Sequence, residues 1–118
     1  MNITRGEVYK ARFDHASGGR GKKRPVVIVQ ADVYNNRLRH AVVAQVTGNL
    51  SDKGDPACYF LDASSPEGKA AGIKLDSLVS CYLLNLINED RLTEKIGQLP
   101  AETMDKISDC LKSALGIP

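Results

Sequence analysis

The 118-residue chain has no tryptophan, two phenylalanines and four tyrosines, so flat aromatic surfaces for stacking are scarce. Its three cysteines form no Cys-x-x-Cys pair, which argues against a disulfide framework and against a thiolate zinc site. No apolar run approaches the roughly 18 residues of a membrane span, and residues 1–6 lack the apolar core of a secretory signal. We therefore expect a cytoplasmic protein without metal, cofactor or membrane contact.

Hydrophobic residues make up 42% of the chain and charged residues 25%, as is typical of a folded globular protein. The length predicts a single domain over residues 1–118. Residues 1–40 contain nine lysines and arginines but only three acidic residues. Residues 41–118 contain seven lysines and arginines and eleven acidic residues. A basic half packed against an acidic half would attract a polyanion to one side, and the alternative is an ordinary solvated charged face.

The hydrophobic pattern changes period along the chain. Alternating or continuous apolar segments predict strands at 7–13, 24–30, 41–47, 58–61, 72–75 and 78–87, separated by loops at 14–23, 31–40, 48–56 and 64–68. Near the C terminus the period becomes helical and predicts one helix over 92–99, after a cap at Asn88, and another over 104–115 that ends at Gly116. The order predicts an α+β domain, a small, curled, mainly antiparallel β-barrel with a C-terminal helix packed on it.

One arrangement of residues is typical of a site. If strands 24–30 and 41–47 form an antiparallel hairpin whose paired positions sum to 71, Arg24 lies opposite Thr47 at about 4.5–5.5 Å. An arginine fork fits a phosphate, and a threonine hydroxyl can donate or accept a hydrogen bond. The adjacent loop adds Arg20, Lys22 and Lys23 for further phosphates. The alternative is that Arg24 merely precedes a strand and Thr47 merely ends one.

Other candidates carry weaker signals. His15 could move a proton near neutral pH, although a lone surface histidine is more often passive. Tyr82 is one of few side chains on which a base could stack. Cys58, Cys81 and Cys110 lie in apolar company and are expected in the core.

Several segments together resemble the MazF/PemK (Kid) toxin family. They are Arg5-Gly6-Glu7-Val8-Tyr9, the loop that ends in Lys23-Arg24-Pro25-Val26-Val27-Ile28-Val29, Val42-Val43-Ala44-Gln45-Val46-Thr47, and Arg91-Leu92-Thr93-Glu94-Lys95-Ile96. The resemblance covers nearly the whole chain and implies a partly open, SH3-like barrel with terminal helices that assembles as a homodimer. It also implies an endoribonuclease that cuts single-stranded mRNA at short motifs and is inhibited by the acidic C-terminal tail of a cognate antitoxin.

The resemblance also assigns roles to residues. The family's catalytic arginine falls on Arg24 and its catalytic threonine on Thr47, in a metal-independent transesterification that leaves a 2′,3′-cyclic phosphate and a 5′-hydroxyl. RNA contacts are expected from the nearby loop and from one tyrosine, namely His15, Gly19, Arg20, Gly21, Lys22, Lys23 and Tyr82.

Two departures from the family pattern keep other functions open. Loop 18–23 lacks the family's Ser or His, Glu and Gln, and Tyr82 and Asn85 stand where the family has a carboxylate and an arginine. A catalytically weak or silent homologue that binds RNA or antitoxin is therefore the main alternative. A CcdB-like poison of a protein target is less favoured, because the Leu115-Gly116-Ile117 ending lacks the tryptophan on which that group relies.

Overall fold

A computed structural model describes residues 2–13 and 21–118. The strands are β1 (Glu7–Arg12), β2 (Lys23–Ile28), β3 (His40–Thr47), β4 (Cys58–Leu61), β5 (Ser77–Asn88) and β6 (Leu92–Gln98); the helices are α1 (Asp32–Asn35), α2 (Pro66–Ala71) and α3 (Ala101–Leu115), with a 3-10 turn at Glu89–Arg91. The strands form one curled, unclosed sheet in the order β4-β5-β3-β2-β1-β6, and all five of its described pairings are antiparallel. The predicted α+β class, with a curled antiparallel sheet and a C-terminal helix, is confirmed.

Apolar side chains bury both faces of the sheet. On one face Val27 packs in a cluster with Ile107 of α3, and on the other Val26 and Ile28 belong to a second cluster. The short β-branched run of β2 is therefore covered on both sides, as its composition predicts. Because successive side chains of a strand alternate between faces, Arg24 lies on the same face as Val26 and Ile28.

The pairing of β3 with β5 contains a wide bulge. Ala44 pairs with Leu84, but the next residue, Gln45, pairs with Ser80. The β5 segment 81–83 is therefore extra relative to β3. A bulge bends its strand and increases the local twist, which favours the curl of the sheet.

Residues 92–98 form an edge strand, so the predicted helix over 92–99 is wrong. The segment pairs with β1, and the Thr93 hydroxyl donates to the Lys10 carbonyl at 3.1 Å. Asn88, the predicted cap, precedes only the 3-10 turn and makes no capping bond with its side chain. Two register shifts against β1 interrupt the strict alternation that would have indicated a strand, and Gly97 costs a helix about 1 kcal/mol.

Residues 66–71 form α2, where the sequence predicted part of a loop. The Ser65 hydroxyl accepts from the Gly68 N–H at 3.0 Å, Pro66 lies in the first turn, and Gly72 ends the helix with φ +76°. The following segment 72–75, predicted as a strand, is the turn between α2 and β5. These are standard capping signals, which the short length of the helix concealed.

The remaining boundaries differ in smaller ways. The C-terminal helix α3 ends at Gly116, which has φ +69°, as predicted. Strand β2 ends at Ile28 rather than residue 30, because the Val29 and Gln30 amides both donate to the Val42 carbonyl, at 3.1 and 3.2 Å. The short helix α1 interrupts the predicted polar connection at 31–40.

Candidate active site

The central hairpin has the register predicted from the sequence. Val26 pairs with Gln45 and Ile28 pairs with Val43, so the paired positions sum to 71. The pairing ends at Val26 and Gln45, and Arg24 and Thr47 each lie two residues beyond that pair, in β2 and β3. The two candidate catalytic residues therefore lie on neighbouring strands and on one face of the sheet.

Arg24 is exposed and lies between two strands. Its partner in β1 is Ala11, which is fully buried and whose small side chain leaves room beside the longer one. Within the described residues no carboxylate lies at ion-pair distance from the guanidinium, so a permanent positive charge faces solvent at this end of the hairpin. Such a group is available to an incoming phosphate.

Thr47 is half-buried, and its hydroxyl is held by the chain that follows it. The Asn49 N–H donates to Thr47 Oγ1 at 3.1 Å. This bond fixes the oxygen while leaving its proton to donate elsewhere, because a hydroxyl both donates and accepts. The hydroxyl is thus oriented by the main chain before any ligand arrives.

Two amide side chains extend the polar surface, and the sequence did not single them out as a pair. Gln45 Nε2 donates to Asn85 Oδ1 at 2.7 Å, which joins β3 to β5 across the bulge. Gln45 lies two residues before Thr47 and therefore on the same face. The sequence signal for Gln45 was that it and Thr47 are polar residues at alternate positions of β3, which is otherwise largely apolar. Each amide retains further donors and acceptors that can read a base edge.

The basic approach to Arg24 is described only in part. Lys22 and Lys23 are exposed and Gly21 is half-buried where the loop enters β2. The Phe13 N–H donates to the Lys22 carbonyl at 3.4 Å, which closes the loop at its base. The predicted contacts His15, Gly19 and Arg20 lie outside the described residues.

Tyr82 lies on β5, one strand beyond Thr47 and two strands from Arg24. It is 45% exposed, and its hydroxyl donates to the Asp52 carboxylate. That hydrogen bond raises the pKa of Tyr82 above its ordinary value. The structure therefore pairs the tyrosine with the 48–57 connection and leaves part of its ring open to solvent.

A cavity of about 260 Å³ opens beside the site, and the sequence did not predict it. It is lined by an aromatic ring, amides and arginines, namely Arg12, Phe13, Asn85, Leu86, Ile87, Asn88 and Arg91. Asn85 thus contacts both this cavity and the amide pair with Gln45. An aromatic ring can stack on the face of a base, amide groups can hydrogen-bond to its edge, and guanidinium groups can bind the phosphate of the same nucleotide.

No group of three or more metal-ligating side chains occurs in residues 2–13 and 21–118. Cys81 and Cys110 are buried, as expected, whereas Cys58 is only half-buried. Burial raises the pKa of the Cys81 thiol to about 12. A protonated thiol is a poor nucleophile and a poor metal ligand, so this cysteine belongs to the core.

A family model described as PemK-like, MazF-like toxin of type II toxin–antitoxin system matches residues 4–115. The chain belongs to this family. No helix within the described part of the chain is long and apolar enough to cross a bilayer.

Curated relatives match over nearly their whole length. Endoribonuclease MazF6 of Mycobacterium tuberculosis is 31% identical over 119 residues, which cover 99% of this chain and 100% of the relative. Endoribonuclease EndoA of Bacillus subtilis is 32% identical over 118 residues, which cover 99% of this chain and 97% of the relative.

Solved structures share the fold at lower identity. An endoribonuclease in complex with its cognate antitoxin, from a mycobacterial species, has a TM-score of 0.77 and 24% identity, with 99% of this chain and 98% of that chain covered. The MazE–MazF complex of Deinococcus radiodurans has a TM-score of 0.75 and 20% identity, with 98% of each chain covered.

Proposed function

We propose that this chain is an endoribonuclease toxin, a single domain over residues 1–118, that cleaves single-stranded mRNA in the cytoplasm at short sequence motifs. The observation that supports the proposal is the hairpin register: an exposed arginine of β2 and an oriented threonine hydroxyl of β3 each lie two residues beyond the paired Val26 and Gln45, on the same face of the sheet. Membership of the MazF-like family and full-length relatives named as endoribonucleases support the same activity.

The proposed reaction is a transesterification that needs no metal ion. The RNA 2′-hydroxyl loses its proton and attacks the adjacent phosphorus, the bond from phosphorus to the 5′ oxygen breaks, and that oxygen takes up a proton, so the products are a 2′,3′-cyclic phosphate and a 5′-hydroxyl. The phosphorane carries extra negative charge, which the Arg24 guanidinium stabilises by charge-assisted hydrogen bonds. The Thr47 hydroxyl donates a hydrogen bond to a nonbridging phosphate oxygen, which helps to hold the attacking and leaving oxygens in line.

RNA would reach this pair along the basic end of the hairpin. The exposed Lys22 and Lys23 lead directly to Arg24, and cations of this kind bind phosphates without regard to sequence. We assign further RNA contacts to the rest of the loop and to one ring, namely His15, Gly19, Arg20, Gly21 and Tyr82.

Base selection is assigned to the 260 Å³ cavity beside the site. A base extruded from the single strand can stack on Phe13 and place its edge against Asn85 and Asn88. Asn85 is held in place by Gln45, so its amide is oriented before RNA binds. This arrangement supplies recognition at a position where the family's usual arginine is absent.

The proposed partners are a second copy of this chain and a cognate antitoxin. Leu86 on β5 is 65% exposed, and Leu115 and Ile117 at the end of α3 are 57% and 53% exposed. Helix α3 contacts β5, and exposed apolar side chains at these places favour burial against a second copy of the chain. The antitoxin's acidic C-terminal tail would compete with RNA for the basic end of the hairpin.

The test compares wild-type protein with Arg24→Ala on a long single-stranded RNA in EDTA. Arg37→Ala is the matched control, because Arg37 is also exposed but lies in the connection between β2 and β3, at the other end of the hairpin from Arg24. We expect discrete cuts by wild type and Arg37→Ala, and a rate at least about 10²-fold lower for a folded Arg24→Ala. RNA binding without cleavage by the wild type would favour a silent homologue.

Expression of the same variants in growing cells is a second test. Growth arrest that persists in Arg24→Ala would favour a protein target.

A further inference from the structure

The cavity of about 260 Å³ beside the candidate active site is lined by polar side chains that mostly donate hydrogen bonds. Arg12 lines it from the end of β1 and Arg91 from the end of the 3-10 turn, and a guanidinium has N–H donors but no acceptor. No aspartate or glutamate lines the cavity among the described residues. Whether an arginine binds a phosphate or a base oxygen, it therefore adds no acceptor to the site.

The orientation of the Asn85 amide in this cavity is set by strand β3. Asn85 Oδ1 accepts a hydrogen bond from Gln45 Nε2 at 2.7 Å. The oxygen and the nitrogen of an amide lie on opposite sides of its plane, so an oxygen turned towards Gln45 turns the nitrogen away from it. Asn85 therefore offers a base in the cavity the N–H donors of its Nδ2.

Asn88 is the other amide in the lining, and it does not set a preference. It is exposed, and its side chain makes no capping bond to the 3-10 turn that follows it. Its amide is therefore able to turn and present either its donors or its acceptor to a ligand. The choice between bases falls on Asn85, whose amide is held.

RNA bases divide into two classes by the group that such a donor would meet. Guanine and uracil carry a keto oxygen, which accepts, whereas adenine and cytosine carry an amino group in the equivalent place, which donates. A keto oxygen is satisfied by the Asn85 amide. An amino group there would face another donor, and a desolvated polar group left without a partner is costly.

We propose that this cavity selects a keto base, guanine or uracil, over adenine and cytosine, and that the donor end of Asn85, held by Gln45, makes the selection. The inference rests on the proposed function, because it takes single-stranded RNA as the ligand. It goes further by naming the class of base and the atom that reads it.

The test measures binding of a probe that cannot be cleaved by the proposed reaction. The probe is a short fluorescein-labelled strand of abasic spacers with one central 2′-O-methyl nucleotide, so it has no free 2′-hydroxyl. The central base is uracil or cytosine in one matched pair and hypoxanthine or adenine in the other, and each pair exchanges a keto oxygen for an amino group. Fluorescence anisotropy with the full-length protein gives the ratio of affinities within each pair. We expect the wild type to bind the keto member at least about five-fold more tightly in both pairs.

Three variants assign the preference to the held amide. Asn85→Asp replaces the donor by an acceptor of nearly the same shape, so it should reverse the ratio in favour of the amino member. Gln45→Ala releases the amide of Asn85, so the ratio should approach one. Asn36→Asp is the matched control, because it makes the same change at an exposed position in the connection between β2 and β3, and it should keep the wild-type ratio. Each ratio compares two probes on one protein, so a loss of folded protein affects both members equally.

The outcomes separate this inference from the nuclease proposal. The inference is overturned if the wild type binds both members of each pair equally, prefers the amino member, or binds these probes no more tightly than spacers alone. It is also overturned if Asn85→Asp and Asn36→Asp give the same ratio. A keto preference without RNA cleavage by the wild type would refute only the nuclease proposal. Cleavage without a keto preference would refute only this inference.

Discussion

Replacing Gly97 by alanine tests the packing of the edge strand β6 against helix α2. A Cβ at this position would lie 2.3 Å from the Ala70 carbonyl oxygen and 2.4 Å from the Ala71 carbonyl carbon. Both atoms belong to main chain, which cannot move aside as the end of a flexible side chain can. The strand and the helix must therefore separate, and Ala71, which is fully buried, must lose part of its packing.

The expected cost of Gly97→Ala is about 3 kcal/mol, at the upper end for overpacking in a core. For a chain of this length, that lowers the midpoint of thermal unfolding by about 10 °C. Urea unfolding followed by circular dichroism would give the free energy directly. Gly48→Ala is the control, because nothing lies within 4 Å of a Cβ there, and it should change stability by less than about 0.5 kcal/mol. Equal stability of the two variants would refute the packing of β6 on α2.

Three further predictions follow from individual contacts. Thr47→Val should lower the rate of RNA cleavage about 10²-fold, since it removes the hydroxyl, whereas Thr47→Ser should retain most of it in the same assay. Arg5→Ala should reduce the free energy of unfolding by about 2 kcal/mol in urea titrations, because the guanidinium donates to the Ser108 hydroxyl at 2.9 Å and to a backbone carbonyl at 3.0 Å; a loss below about 0.5 kcal/mol would contradict these bonds. Burial, together with hydrogen bonds to carboxylates, raises the pKa values of Tyr9 and Tyr59 from 10.0 to about 12, so between these pH values the two phenols stay protonated in the folded protein and ionise in the unfolded chain. Their contribution to the free energy of unfolding is therefore complete below pH 10 and is lost as the pH rises towards 12. Tyr59→Phe should make the free energy of unfolding fall less steeply over this range.

The hairpin that carries the site could be predicted because its signals are local. The β-branched run of β2 and the apolar segment of β3 each predict a buried strand from adjacent residues alone. The register was a hypothesis, and the pairing of Val26 with Gln45 agrees with it. Helix α3 was equally predictable from its apolar stripe and from Gly116 at its end.

Elements that depend on their neighbours could not be predicted. Strand β6 is stabilised by the free edge of β1, and its bulges hide its alternation. The pairing of Gln45 with Asn85 depends on the bulge in β5, which shifts the register between strands far apart in the chain. The cavity beside the site arises from several segments that meet only in the folded protein. No pattern within a single segment indicates it.

The central claim is that Arg24 and Thr47 promote attack by an RNA 2′-hydroxyl. Once a cut has been mapped, an RNA oligonucleotide with a single 2′-deoxy substitution on the 5′ side of that bond tests the claim most directly. The wild-type protein in EDTA should leave the substituted bond intact, and should cut the all-ribose control to a 2′,3′-cyclic phosphate and a 5′-hydroxyl. Cleavage of the 2′-deoxy bond at the control rate, or a product with a 5′-phosphate, would contradict the account.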